Sequence, residues 1–267
     1  MMKKKRYKNA LLYKISANGL RRSSYLFGTM HMICAKDFEI PGKVQRTLSK
    51  CKTFYMEVNL GSADELHTMQ QQELALQDIA EGLSPDEKIV LNNLLMKQLD
   101  VSLEDAQQLP AAELISRVAA RSAGCDDIKV AELELLKMAM ENGLRTAGLE
   151  TAPEQLEMAR QVFKGREILL QLQLSADHHD LFEKMITAYH SENLTELAAL
   201  VTHKNVMSER AYDILVTRRN QRWAEMIPGI IYETSAFIAV GAGHLPGEQG
   251  LLQLLTGRGF SVNPVYQ

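Results

Sequence analysis

Short runs rich in β-branched and aromatic residues open the chain: Leu11 to Ile15, Ser24 to Phe27 and Thr53 to Val58. Their patterning, with Asn18-Gly19 between the first two, predicts an opening hairpin. Pro41-Gly42 then precedes Val44 and Leu48, which predicts a short helix leading into the strand Phe54-Tyr55-Met56-Glu57-Val58. From Ser62 to Met226 the apolar positions recur three and four apart instead. Leu91, Leu94, Leu95 and Leu99 follow this helical spacing, as do Leu133, Leu136, Met140 and Leu144. Helix starts are marked by Ser84-Pro85-Asp86-Glu87 and Thr151-Ala152-Pro153-Glu154, each a hydroxyl residue followed three positions later by Glu. One strand, Thr146 to Leu149, interrupts this section, and a helix is expected from Lys204 to Met226.

The end of the chain repeats the beginning in outline. Ser235 to Val240 reads as a strand, Gly241 to His244 as a turn, Gly247 to Leu255 as a helix and Phe260 to Val265 as a strand. The first half gives strand, Gly28-Thr29-Met30-His31, helix, strand. The expected fold is therefore α/β (α+β): a central mixed sheet built from two pseudo-equivalent strand–Gly-x-x-His–helix–strand halves, about 9–60 and 230–267. The helical section, about 62–226, would be inserted between them as a cap. A single domain over 1–267 is expected, since no low-complexity linker divides the chain.

Composition narrows the class. With 46% hydrophobic and 24% charged residues, a net charge of -3 and a pI near 6.2, the chain reads as an ordinary globular protein without a nucleic-acid footprint. Met1 to Lys8 is basic like the start of a signal peptide, but Lys14 follows Leu11-Leu12-Tyr13 before an adequate apolar stretch develops. No run is long enough to span a membrane, so a cytoplasmic location is expected. Cys34, Cys51 and Cys125 are an odd number at scattered spacing, which favours free thiols in a reducing compartment over a disulfide framework. Oligomeric state is not written in the sequence, and a homodimer stays open.

Glycine after a buried strand permits a tight turn and would set His31 and His244 at strand ends, where open α/β sheets usually keep their sites. Either motif alone is an ordinary turn histidine; two in matched positions point to function. Glu57, inside an apolar strand, either finds a buried partner or faces water at the strand end. Glu150 has the same character, although a Glu before a helix start also suits the helix dipole. Arg218-Arg219-Asn220-Gln221-Arg222 reads either as a solvated face or as a buried Arg holding a carboxylate or oxyanion, with Asn220 as a neutral donor. His67, His178, His179, His190 and His203 read as surface or structural.

Four separated segments resemble the TraB/GumN family, related to the TIKI metalloproteases: Ser24 to His31, Gly148-Leu149-Glu150-Thr151 with Glu154-Gln155, Arg219-Asn220, and Val240 to Gly247 with Gly250-Leu251-Leu252. The resemblance implies a compact α/β fold and a metal-dependent peptidase activity. It places His31, His244 and Glu57 in the active-site set, with Glu150, Arg219 and Asn220 nearby. On that basis His31 and His244, with Glu57 or Glu150, would bind one divalent metal (manganese, cobalt or zinc), leaving an open position for water. The remaining glutamate would be the general base, and Arg219 with Asn220 would stabilise the oxyanion. The substrate would be a peptide or a small molecule. The rival readings are a metal-free hydrolase, by analogy with the erythromycin-esterase-like group, and a non-catalytic protein whose histidines hold haem, as in ChaN-like relatives.

Overall fold

The computed structural model describes residues 9–266 apart from 21, 74–78, 110–112, 115–116, 119, 122–123, 126 and 204–205, without the side chains of 71–73, 171 and 174–179. The basic run Met1 to Lys8 and the side chains of His178 and His179 therefore lie outside the described residues.

Six strands form one mostly parallel sheet: β1 (Leu12–Ser16), β2 (Ser24–Thr29), β4 (Thr53–Val58), β6 (Arg145–Glu150), β7 (Ala236–Gly241) and β8 (Ser261–Pro264), in the order β6-β4-β7-β2-β1-β8. β6, β4, β7 and β2 run parallel, and β1 is antiparallel to both β2 and β8. Burial follows position in the sheet. Every residue of β7, Ala-Phe-Ile-Ala-Val-Gly, is buried, as expected for a central parallel strand covered on both faces, whereas the edge strands β6 and β8 are only partly buried. Phe54, Phe237, Leu26, Ile15 and Trp223 lie in the main core, where Phe237 stacks between Phe27 and Phe54.

The expected central mixed sheet is present, and its two halves interleave: β7 inserts between β4 and β2, while β8 pairs with β1. A second, two-stranded ribbon is new. β3 (Met32–Cys34) continues directly from the first histidine turn and pairs antiparallel with β5 (Ile128–Val130).

The inserted helices carry the expected caps. Ser84 closes a capping box with Glu87 ahead of helix Pro85–Leu99, and Thr151 does so with Glu154 ahead of helix Ala152–Val162. Leu91 and Leu95 of the first helix sit in a separate apolar cluster with Leu83, Ile168 and Leu172.

Three expectations need correction. In helix Ala131–Glu141 the buried face is Ala131, Glu132, Leu135, Leu136 and Ala139, while Leu133 (48%) and Met140 (61%) are exposed. Leu136 and Leu144 of the expected positions are buried, but Leu135, Ala131 and Ala139 rather than Leu133 and Met140 complete the inner face. The helix expected over Lys204–Met226 begins at the Ser208 cap, runs through a π-turn at Asp213–Thr217 and continues as Arg218–Glu233 with Pro228 inside it. Cys34 and Cys125 are joined in a disulfide, with only Cys51 left free among the described cysteines. The bonded residues are 91 positions apart and are brought together by the β3–β5 ribbon, so local spacing carried no trace of the pairing.

Candidate active site

Four parallel strands end on one edge of the sheet and deliver the polar cluster. Glu57 is the penultimate residue of β4, and Glu150 is the last of β6, paired in register with Val58. β2 and β7 run into the two Gly-x-x-His turns, with Gly28 beside Val240 and Thr29 beside Gly241. This is the carboxyl edge, where open α/β sheets bind ligands.

The turns differ in shape. Gly241 leads into a 3-10 turn, Ala242–His244, that folds the second histidine inward, so its side chain is 6% exposed; the His31 side chain is 52% exposed at the rim. Neither glycine is needed for a left-handed backbone: Gly241 has φ -51°, and Gly28 is absent from the positive-φ glycines. They are needed for space. A Cβ on Gly241 would meet His31 Nε2 at 2.7 Å, and one on Gly28 would meet Leu245 Cδ1 at 2.7 Å and Ala242 Cα at 3.0 Å.

Both imidazoles aim Nε2 at the same carboxylate oxygen. His31 Nε2 lies 3.6 Å and His244 Nε2 3.7 Å from Glu57 Oε1. Each ring's other nitrogen is engaged: His31 Nδ1 with Glu132 Oε1 at 2.7 Å, and His244 Nδ1 with Asn220 Oδ1 at 2.8 Å. Asn220 in turn donates its amide to the carbonyls of His244 and Gln249 at 3.1 and 2.8 Å. Trp223, the sole tryptophan, stacks on the His244 ring with centroids 4.6 Å apart.

Arg219 ties the carboxylates together. Its Nη2 donates to Glu57 Oε2 and to Glu150 Oε1, its Nε donates to Glu150 Oε2 at 3.1 Å, and its Nη1 reaches the Leu215 carbonyl at 3.0 Å. The π-turn sets this up: the Arg218 amide reaches five residues back to Asp213, widening the helix just where the guanidinium enters. Glu150 also accepts from Arg222 Nη2 at 2.9 Å and Gln155 Nε2 at 3.2 Å. Of the arginine run, Arg218 is solvated, Arg219 is buried and Arg222 lies between, so the two readings of that segment divide residue by residue. His67, His190 and His203 are exposed, in keeping with a surface role.

Charge follows from these contacts. Burial opposes ionisation of Glu57, but Arg219, His31, His244 and the Gly241 amide at 2.8 Å outweigh it and hold the carboxyl far below its usual range. His244 is pushed down to about 3, first by burial and then by Arg219 and His31, so its ring is neutral. His31 is pulled up to about 9, chiefly by Glu132 and then by Glu57. For Glu150, burial outweighs the arginines and raises its pKa.

Glu132 is the residue that the sequence reading missed. It lies in the first turn of helix Ala131–Glu141, is buried, and accepts from both Thr29 Oγ1 (2.5 Å) and His31 Nδ1. Its signal was its spacing with Leu135, Leu136 and Ala139, which puts a carboxylate on the apolar face.

Two imidazoles and a carboxylate are a suitable donor set for a divalent ion. Bonds of about 2.1 Å in a tetrahedral site would hold the donor atoms about 3.4 Å apart, slightly closer than the 3.6 and 3.7 Å separations from Glu57 Oε1. Among the described residues, no group of three or more His, Cys, Asp or Glu side chains is arranged so that it could hold a metal ion as it stands. A cleft of about 320 Å³ borders the cluster at Glu150, lined by Asn59, Glu65, Thr151, Glu154, Arg222 and Met226 among others. A cleft of about 670 Å³ near Lys43 and Arg46 contains none of the cluster's charged residues.

No curated protein and no solved structure matches the chain at a significant level. No helix among the described residues is long and apolar enough to cross a membrane. The model of the TraB/PrgY/gumN family matches residues 11–264, and the chain belongs to that family.

Proposed function

We propose that the cluster is a hydrolytic site in which His31, His244 and Glu57 hold one divalent cation, manganese, cobalt or zinc, and that it cleaves a peptide or a related bond in the manner of the TIKI metalloproteases. The supporting observation is the convergence of His31 Nε2 and His244 Nε2 on Glu57 Oε1 at 3.6 and 3.7 Å, while Glu132 and Asn220 engage the opposite ring nitrogens. Such outer partners select the inward-facing nitrogen and make a histidine a better ligand. When bound, the cation would supply Lewis acidity and a more acidic water.

The remaining roles follow from which atoms are free. Glu150 has both oxygens occupied by Arg219, Arg222 and Gln155, so it anchors Arg219 rather than acting as the base. The amide of Asn220 is spent on two carbonyls, so it fixes His244 rather than meeting an oxyanion. Arg219 Nη1 donates to the Leu215 carbonyl at 3.0 Å and lies 3.4 Å from His244 Nε2, so Arg219 fits stabilisation by its charge rather than through a free oxyanion donor.

The metal-free reading keeps one observation in its favour. His31, half exposed and paired with Glu132, forms a histidine–carboxylate pair that, raised to about 9, holds a proton to donate at neutral pH and acts as a base only at higher pH. The haem reading is disfavoured because both Nε2 atoms face a buried carboxylate rather than an apolar slot. The Cys34–Cys125 disulfide favours an oxidising compartment over the cytoplasm.

Cobalt titration of chelator-stripped protein is the test, read by quenching of Trp223 and by the visible cobalt spectrum. Expected is one site, lost in His31→Ala and His244→Ala. Absence of cobalt at this cluster sinks the metal version. Peptide hydrolysis that survives exhaustive chelation selects the metal-free one.

A further inference from the structure

Glu132 reaches the proposed chemistry only through the His31 ring, and it is buried at the rim of the site. A glutamate in a helix's first turn is well placed facing water, whereas burial costs it hydration unless partners replace the lost contacts. Its partners are specific. Thr29, the last residue of β2, donates its hydroxyl to Oε1 at 2.5 Å, and His31, two residues on, meets the same oxygen through Nδ1 at 2.7 Å. The backbone holds the two segments together as well. β3 leaves His31 and pairs with β5 in the register Met32↔Val130, the Ala131 amide reaches the His31 carbonyl at 3.4 Å, and the Cys34–Cys125 disulfide closes the far end of the ribbon.

An imidazole has two nitrogens and turns about two bonds, so whichever nitrogen is engaged decides what the other faces. With Nδ1 on Glu132, Nε2 faces Glu57. We infer that Glu132, seconded by Thr29, is a positioning residue that aims His31 Nε2 into the site, delivered there by the β3–β5 ribbon. This builds on the assignment of His31 as a ligand or base, and both roles need a bare Nε2 directed inward.

Two measurements on the full chain test it. In metal-free protein the His31 ring stands over Gly241, so nuclear Overhauser contacts between the ring protons and the Gly241 α-protons report its aim. These should be strong in wild type and Glu132→Gln and lost in Glu132→Ala; an unchanged contact in Glu132→Ala overturns the inference. For cobalt binding, Glu132→Ala should lose ~10- to 100-fold in affinity, and Glu132→Gln, which keeps an acceptor for Nδ1, should lose less than ~10-fold. Equal affinity in Glu132→Ala and wild type also overturns it. If wild type binds no cobalt while the ring contact still depends on Glu132, the metal reading fails and the positioning role stands. Should Glu132→Ala not fold, Thr29→Val removes one anchor. Partial loss of the ring contact is then expected, and no loss counts against the inference.

Discussion

Thr29 of β2 and Gly241 of β7 are register partners on neighbouring parallel strands, so the two Gly-x-x-His turns run side by side but one residue out of step. The offset is taken up in the 3-10 turn Ala242–His244, which buries the second histidine and leaves the first at the rim. It also brings the His31 ring over Gly241.

That contact separates the two glycines experimentally. Gly241 has a backbone any residue can adopt, and the atom its Cβ would strike belongs to a half-exposed ring that can swing away. Gly241→Ala should therefore lower stability by less than about 1 kcal/mol, yet weaken cobalt binding ~10-fold or more, because the ring must leave its aim. Gly28→Ala meets backbone at Ala242 and should cost about 1–3 kcal/mol in urea denaturation. Full cobalt affinity in Gly241→Ala would show that His31 need not stand where it does.

Arg219 is the buried guanidinium shared by Glu57 and Glu150, with Arg222 reaching Glu150 from the surface. Arg219→Leu would leave two buried carboxylates facing each other. Breaking such a buried pair on one side should cost about 3–5 kcal/mol, read from the urea midpoint. Arg219→Lys should recover part of the loss, because an ammonium restores the charge but cannot fork across both carboxylates. A loss below about 1 kcal/mol in Arg219→Leu contradicts the assigned role.

Much of this site was legible because each element announced itself locally. Glu57 and Glu150 stood out as carboxylates at the ends of apolar strands, and the histidines through repetition of one motif. Glu132 was obscured for a physical reason: its helix carries leucines or methionine on both faces, burying Leu135 and Leu136 with Ala131 and Ala139 while exposing Leu133 and Met140, so apolar spacing alone did not single out the inner face. The tie between Cys34 and Cys125, and the convergence of β3 with β5, depend on chain segments about ninety residues apart. The widened turn before Arg219 likewise left no local pattern, since Asp213 to Thr217 reads as ordinary helix.

The disulfide closes a long loop, so Cys125→Ser should destabilise the protein by about 2–4 kcal/mol, mainly by freeing the unfolded chain. Because the same bond closes the ribbon beyond His31, cobalt affinity should also fall in conditions where the variant is fully folded. Thiol titration in denaturant checks the premise: oxidised wild type should show one reactive thiol, from Cys51, and three after reduction. Three thiols without reductant would remove the basis for both effects.

The two histidines predict opposite pH slopes in metal-free protein. His31 is raised to about 9, chiefly by Glu132 with help from Glu57, so between its ordinary value near 6.5 and 9 the folded state binds more protons than the unfolded chain. Stability should fall as pH rises through that window, and the total loss should be modest because solvent screens the half-exposed ring. His244 is lowered to about 3, chiefly by burial, so from 6.5 down to about 3 the unfolded chain binds the extra proton and stability should fall as pH drops. Together they place the optimum for this pair near pH 6.5. Urea midpoints at pH 5.5, 6.5 and 8.5 check the signs: His31→Gln should flatten the alkaline limb and His244→Gln the acid limb. The His31 assignment fails if wild-type stability rises between pH 6.5 and 8.5 and His31→Gln leaves that slope unchanged.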